Sequence, residues 1–306
     1  MNIIADCHND TAYKLYYEKG ELYDNDFAIS IKDIKKLGNR KALLFFAIFM
    51  DFEKYGDNPK EYFLNIYNYF INQLSLNKDY IYKYKDIDYF LKDSRHCGVI
   101  TLEGGDFIKS EDDIDFIKSL GIKVLTLTWN KSNALACSCV DKNDTGLTDF
   151  GRKILKKLER YDIIPDFSHS SDKTFFEAMD ILKKPAFITH SNSREITPVK
   201  RNITDEMFLA LKKNKGVCGM NFFKDFAGKN IDDIKKHIYH FLSLGGEDNI
   251  CFGSDFDGAY PLISPVKTFK DTDLIINSLL KDNINEEIIR KITYKNALRI
   301  LGGKNG

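Results

Sequence analysis

Short apolar runs rich in β-branched residues recur along the chain. They alternate with longer stretches whose apolar residues return every three or four positions. The runs are NIIADC (2–7), ALLFFAIF (42–49), GVITLE (98–103), KVLTLT (123–128), IIPDFS (163–168), AFITH (186–190), GVCGMNFF (216–223) and ICFGSD (250–255). Each has strand length, and continuous apolar character predicts parallel strands covered on both faces. Between them, PKEYFLNIYNYFINQL, EDDIDFIKSL, LTDFGRKILKKLERY, TFFEAMDILK, TDEMFLALKKN and IDDIKKHIYHFLSLG carry the helical period. Gly121, Gly216 and Gly245 fall where a glycine would end a helix before the next strand. Thr148, Asp149 and Asp205 stand where side chains cap helix starts. Eight such units in 306 residues predict a (β/α)8 barrel, an α/β fold in one domain over 1–306. No proline-rich linker breaks the rhythm. No GxGxxG follows the first strand, which argues against a dinucleotide-binding sheet.

Composition narrows the classes of function. Lys plus Arg is 45 and Asp plus Glu is 45, so the formal charge is zero. That balance gives no reason to expect nucleic acid or an anionic membrane as partner. The longest apolar run, 42–50, falls well short of the ~20 residues of a membrane span. The N-terminus lacks the charged and apolar regions of a signal peptide, and the tail GGKNG carries no anchor signal. The six cysteines are scattered, which suits free thiols in a reducing compartment, so a cytoplasmic protein is expected. Cys137-Ser-Cys139 is a close pair, but no second pair completes a zinc-type site.

Barrel enzymes build their sites at the C-terminal ends of the strands. There this chain places Asp6, His8 and Asp10, then Glu103, then Trp129-Asn130, then Asp166 and His169, then His190, then Asp255 and Asp257. Three of the six histidines fall at strand ends; His96, His237 and His240 lie elsewhere and read as structural. Each piece alone has a plain reading. An HxD is often a turn, a lone histidine bonds a carbonyl, and Glu103 before two glycines suits a tight bend. Together they would converge on one mouth, and imidazole with carboxylate suits Zn, Mn, Co or Fe. Strand alternation puts His8 and Asp10 on one side, with Asp6 one step deeper as support for His8. Glu103 is the best candidate to bridge two cations, ~3.5–4 Å apart and sharing a hydroxide. Asp255 is the natural proton acceptor beside them.

The ordered pieces DCHND, TLEGG, LTLTWN, NDTGLTDFGR, DFSHSS, ITHSNSR, RNITDE, FGSDFDG and YKNALRIL resemble the renal or membrane dipeptidase family, metallopeptidases of the amidohydrolase-like barrels. The resemblance runs from about residue 3 to residue 302. It implies a binuclear zinc barrel that hydrolyses dipeptides, often tolerating a D-residue on the C-terminal side. By motif match, His8 and Asp10 would bind one metal, His169 and His190 the other, and Glu103 both. Asp255 would be the general acid/base, and Arg201 would hold the substrate carboxylate, a role suited to a planar guanidinium. Family members commonly form homodimers.

The sequence also departs from that pattern. Trp129 replaces a histidine that stabilises the oxyanion in mammalian members, and Phe223 aligns with a substrate-contacting tyrosine. An indole N–H donates a hydrogen bond but carries no charge. Two alternatives therefore stay open: hydrolysis of another small amide, such as an N-acyl amino acid or cyclic amide, and a metal-stabilised barrel that only binds. The loop DKNDTG (141–146) reads either as a lid or as a plain surface loop.

Overall fold

The computed structural model describes residues 2–302, so the tail beyond 302 and the last residues of the expected domain lie outside it. Nine strands form one parallel sheet: β1 (Ile3–Asn9), β2 (Lys41–Phe49), β3 (Ile81–Lys83), β4 (His96–Glu103), β5 (Val124–Thr126), β6 (Ile164–Asp166), β7 (Phe187–Ile188), β8 (Val217–Met220) and β9 (Ile250–Phe252). Eight of them run in the order β1-β2-β4-β5-β6-β7-β8-β9, all in parallel register, with helices between them. The barrel closes where β1 meets the end of β9. Asp10 donates its backbone N–H to the carbonyl of Phe256 at 2.8 Å, and Asp255 donates to that of His8 at 3.1 Å. All eight predicted runs are strands of the barrel.

The ninth strand, β3, was not expected, because its Tyr- and Lys-rich sequence lacks an apolar run. It pairs with His96–Gly98 at the start of β4. The short β5 reaches only Thr101–Glu103, so β3 covers the part of that edge that β5 leaves.

Two cores follow from the strand alternation. Ile4, Leu44, Phe46, Ile100, Leu125 and Met220 pack outward against the helices. Ala5, Cys7, Leu43, Phe45, Cys97, Val99, Val124, Phe187, Val217 and Cys251 form a separate cluster on the opposite face, filling the barrel interior. That inner parity, carried on to the strand ends, brings Phe49 and Glu103 to the barrel mouth. All six cysteines are buried and free.

The six predicted helices are present, and their ends refine the reading. Gly121 and Gly245 do take positive φ, but before β8 the left-handed residue is Lys215 at φ 63°, not Gly216. Gly216 is required for space, since a Cβ there would lie 2.5 Å from the Ala186 carbonyl. Thr148 caps its helix by accepting from the Gly151 N–H, whereas Thr204, not Asp205, caps the helix Asp205–Lys213. Asp205 instead sits in the first turn, where a carboxylate favours the helix dipole. Among the described residues, no helix is long and apolar enough to cross a membrane.

Candidate metal centre

The strand ends bring His8, Asp10, Glu103, His169, His190 and Asp255 together at the mouth, all nearly buried. The two oxygens of Glu103 face different partners. Oε2 lies 3.5 Å from Nε2 of His8, which is itself 3.4 Å from Asp10 Oδ2. Oε1 lies 2.9 Å from Nε2 of His169 and 3.3 Å from Nε2 of His190. The groups His8–Asp10–Glu103 and Glu103–His169–His190 each offer three ligand atoms close enough for one cation. A third combination, His8–His190–Asp255, shares their members.

The hydrogen-bond network fixes the tautomers. Asn130 Oδ1 can only accept, so at 2.8 Å it takes a proton from Nδ1 of His169. Thr189 donates its hydroxyl proton to Asp166 Oδ2 at 2.7 Å, and its oxygen therefore accepts from Nδ1 of His190 at 2.8 Å. Both histidines then turn bare Nε2 lone pairs toward Glu103 Oε1. Those two nitrogens are 3.1 Å apart, and Glu103 Oε1 has no hydrogen-bond donor. With Glu103 ionised, three acceptors meet there with no proton among them, an arrangement suited to a cation.

The electrostatics agree. Burial pushes Glu103 well above the ordinary carboxylate range, against the pull of His8. Burial likewise raises Asp10 to about 6. His8 is raised to about 10 because Glu103 and Asp10 outweigh the burial that opposes its charge. Burial drives His169 and His190 well below the usual histidine value, so they stay neutral. Buried acids crowded on neutral imidazoles are stabilised by an added positive charge.

Asp6 lies close enough to His8 for their charges to interact, but it makes its hydrogen bonds elsewhere. The register of β1 on β2 shifts between Asp6 and Asn9, so the simple alternation does not carry from Asp6 to His8. Asp6 Oδ1 accepts from the Ser254 N–H at 2.8 Å, which ties β1 to the end of β9. Burial raises its carboxyl to about 7. The orienting role passes to Asn130, Thr189 and Asp166. Asp166 stood among the strand-end acids in the sequence, but nothing there linked it to His190 through Thr189.

Asp255 sits in left-handed backbone at φ 66°. Its Oδ2 accepts from Asn221 Nδ2 at 2.9 Å, and its Oδ1 is 3.9 Å from His8. Gly258 lies against both acids, since a Cβ there would fall 1.9 Å from Asp10 Oδ2 and 3.0 Å from Asp255 Oδ1.

A cavity of about 600 Å³ opens over this cluster, lined also by Phe49, Trp129, Arg201, Phe223 and Phe226. Arg201 is 8% exposed, yet Nε, Nη1 and Nη2 have no acceptor among the described residues. Its guanidinium lies 5.6 Å from the Phe226 ring. Trp129 packs on Phe49 at 5.0 Å and on Phe52 at 5.6 Å. The loop 141–146 is tied down by Asp144, which accepts from the Ser171 hydroxyl at 2.5 Å and from the Lys173 N–H at 3.0 Å. Its bonding is that of an anchored turn.

A closed parallel barrel whose mouth gathers three histidines and three carboxylates has the architecture of a metal-dependent barrel hydrolase. The sequence model of the membrane dipeptidase family, peptidase family M19, matches residues 1–305, and the chain belongs to that family. It is 33% identical over 196 residues to the uncharacterized dipeptidase C965.12 of Schizosaccharomyces pombe, covering 60% of this chain and 46% of that protein. It is 28% identical over 189 residues to dipeptidase tcpJ of Claviceps purpurea, covering 60% and 44%. The matched part thus spans less than half the length of these curated relatives. Among solved structures, dipeptidase AC, an M19 metallopeptidase, superposes with a TM-score of 0.90 at 21% identity, covering 98% of both chains. A Rhodobacter sphaeroides metallopeptidase, liganded with a phosphinate mimic of L-Ala-D-Ala, gives 0.88 at 20% identity and the same coverage. These two likenesses establish the shared fold.

Proposed function

We propose that this chain hydrolyses the amide bond of dipeptides with two divalent cations, Zn2+ first, with Mn2+ and Co2+ as alternatives. His8 and Asp10 would hold one cation, His169 and His190 the other, and Glu103 one oxygen on each. Bound there, such ions supply Lewis acidity and a water acidified to near neutral pH.

The remaining work falls to side chains of this chain. Arg201 holds the substrate's C-terminal carboxylate through paired N–H donors, which limits substrates to very short peptides. Asp255, at the cavity wall and steadied by Asn221, takes the proton of the attacking water. It then delivers that proton to the departing amine as the C–N bond breaks. Asn130 and Thr189 hold the two histidines in the tautomer that leaves Nε2 free. Trp129 supplies only an indole N–H toward the developing oxyanion, where a charged imidazole would serve. The observation that carries this reading is Arg201: a buried guanidinium with no hydrogen-bond acceptor among the described residues, opening onto the same cavity as the histidine–carboxylate cluster.

N-acyl amino acids offer the same carboxylate, and the apolar wall of Phe49 and Trp129 favours them as a second substrate class. A reducing compartment such as the cytoplasm suits the six free thiols. The test is metal analysis joined to hydrolysis assays on dipeptides and N-acyl amino acids. Bound metal with turnover is expected. A protein without metal, and without turnover after addition of Zn2+, Mn2+ or Co2+, would overturn the proposal.

A further inference from the structure

The cavity has two unlike ends, and the strand order places them across the barrel from one another. Arg201 follows β7, and Phe223 follows β8. Phe49 ends β2, and in the closed order β1-β2-β4-β5-β6-β7-β8-β9 strand β2 stands opposite β7. Glu103 and the histidines lie on the floor between. A dipeptide whose carboxylate meets Arg201 and whose amide lies over that floor must send its first residue toward Phe49 and Trp129.

That far wall is apolar and rigid. Phe49 is backed by the Tyr13 ring at 4.1 Å, and Trp129 by Phe52 at 5.6 Å. Phe49 and Trp129 give this side its apolar surface, and the side-chain oxygen of Asn130 beside them is taken by His169. Lys200 and Arg201, the cations of the cavity lining, come from the segment that follows β7. An aromatic slab of this kind stacks planar or bulky apolar groups better than polar ones.

We infer that the chain selects dipeptides whose N-terminal side chain is aromatic or large and apolar, with Phe49 and Trp129 as the specificity-determining residues. This rests on the dipeptidase reading and adds the substrate class to it.

Trp129 is the sole tryptophan of the chain, so its fluorescence reports on this wall without any need for turnover. The experiment uses the metal-loaded protein and two readouts. The first is kcat/KM for Phe-Gly, Gly-Phe and Gly-Gly. The second is titration of Trp129 fluorescence with the non-hydrolysable phosphinate analogues of Phe-Gly and Gly-Gly. Phe-Gly is expected to exceed both other dipeptides by at least about tenfold, a usual return for filling an apolar pocket. Its analogue should bind tighter than that of Gly-Gly by a similar factor and perturb the emission. In Phe49→Ala the Phe-Gly to Gly-Gly ratio should collapse to within about threefold, and Phe49→Leu, which keeps most of the volume behind which Tyr13 packs, should give an intermediate ratio. Equal kcat/KM for Phe-Gly and Gly-Gly in the unaltered protein overturns the inference while leaving the dipeptidase reading intact. Selective binding of the Phe-Gly analogue without hydrolysis supports the wall and overturns the activity. Failure of both analogues to bind overturns the wall as well.

Discussion

The hydroxyl of Thr189 accepts from Nδ1 of His190 at 2.8 Å because its own proton is committed to Asp166. One threonine thus decides which nitrogen of the histidine is left to bind. Thr189→Val keeps the shape and deletes the relay, so His190 is free to protonate Nε2. Metal affinity should fall by roughly 10–100-fold, with Thr189→Ser restoring most of it. Isothermal titration of the metal-free protein with Zn2+ measures this directly, and equal affinity for Thr189→Val would remove Thr189 from the account.

Gly258 offers a steric probe of the first ligand pair. Its φ is not in the left-handed region, so alanine is compatible with the backbone, but the added Cβ would overlap Asp10 Oδ2 at 1.9 Å. Gly258→Ala should lose close to one metal equivalent per chain, while its metal-free form unfolds near the temperature of the metal-free unaltered protein. Elemental analysis and calorimetry check both halves.

Arg201 is predicted to act through its fork rather than its charge. Arg201→Lys keeps the charge but cannot pair two oxygens in plane, and kcat/KM should drop by about 30–150-fold, chiefly through KM. Dipeptides amidated at the C-terminus should suffer a similar loss with the unaltered protein. Steady-state kinetics on acid and amide forms of one dipeptide provide the comparison.

Asp255→Asn preserves size and the neighbourhood of Asn221 but cannot take a proton. Turnover should fall by roughly 10²–10⁴-fold with metal content unchanged. A variant with near-normal turnover would move the proton to another group.

Acid should weaken the fold through His237. It is fully buried, its Nδ1 accepts the Ser193 N–H at 3.1 Å, and burial lowers it from the ordinary 6.5 to about 4. The folded value lies below the unfolded one, so its contribution is intact above pH 6.5 and is lost as pH falls toward 4. The loss is on the order of 3 kcal/mol across that window. His96, also lowered to about 4 by burial, titrates in the same range. Urea unfolding of the metal-free protein at pH 7 and pH 5 should show the decline, and His237→Gln should flatten it in part.

Much of this was legible in the sequence because apolar periodicity is local. Eight runs marked eight barrel strands, and the residues ending them marked the mouth. The Tyr- and Lys-rich β3 lacked that signal, since it only covers an edge left by the short β5. The bonds of Asp6 to Ser254 and Asn9 could not be read from the alternation, because it breaks at a register shift that no residue type announces. His8, Asp10, Glu103, His169 and His190 do meet, as chemistry and motif order implied. Thr189, Asp166 and Asn130 were visible as letters, but their roles depend on where one proton points. Phe49 read as the end of a hydrophobic strand; only closure of the barrel sets it beside Trp129.

The seam between β1 and β9 has a consequence for how the protein comes into being. His8 and Asp10 are locked to Asp255 and Phe256 by backbone hydrogen bonds, and Asp6 to Ser254. During synthesis the first strand leaves the ribosome almost a whole chain ahead of its last neighbour. Until that neighbour arrives, Asn9 can bond the Phe45 carbonyl on β2, but Asp6, His8 and Asp10 lack their partners in Ser254, Asp255 and Phe256. Closing the ring and completing the polar cluster at its mouth are therefore the same event.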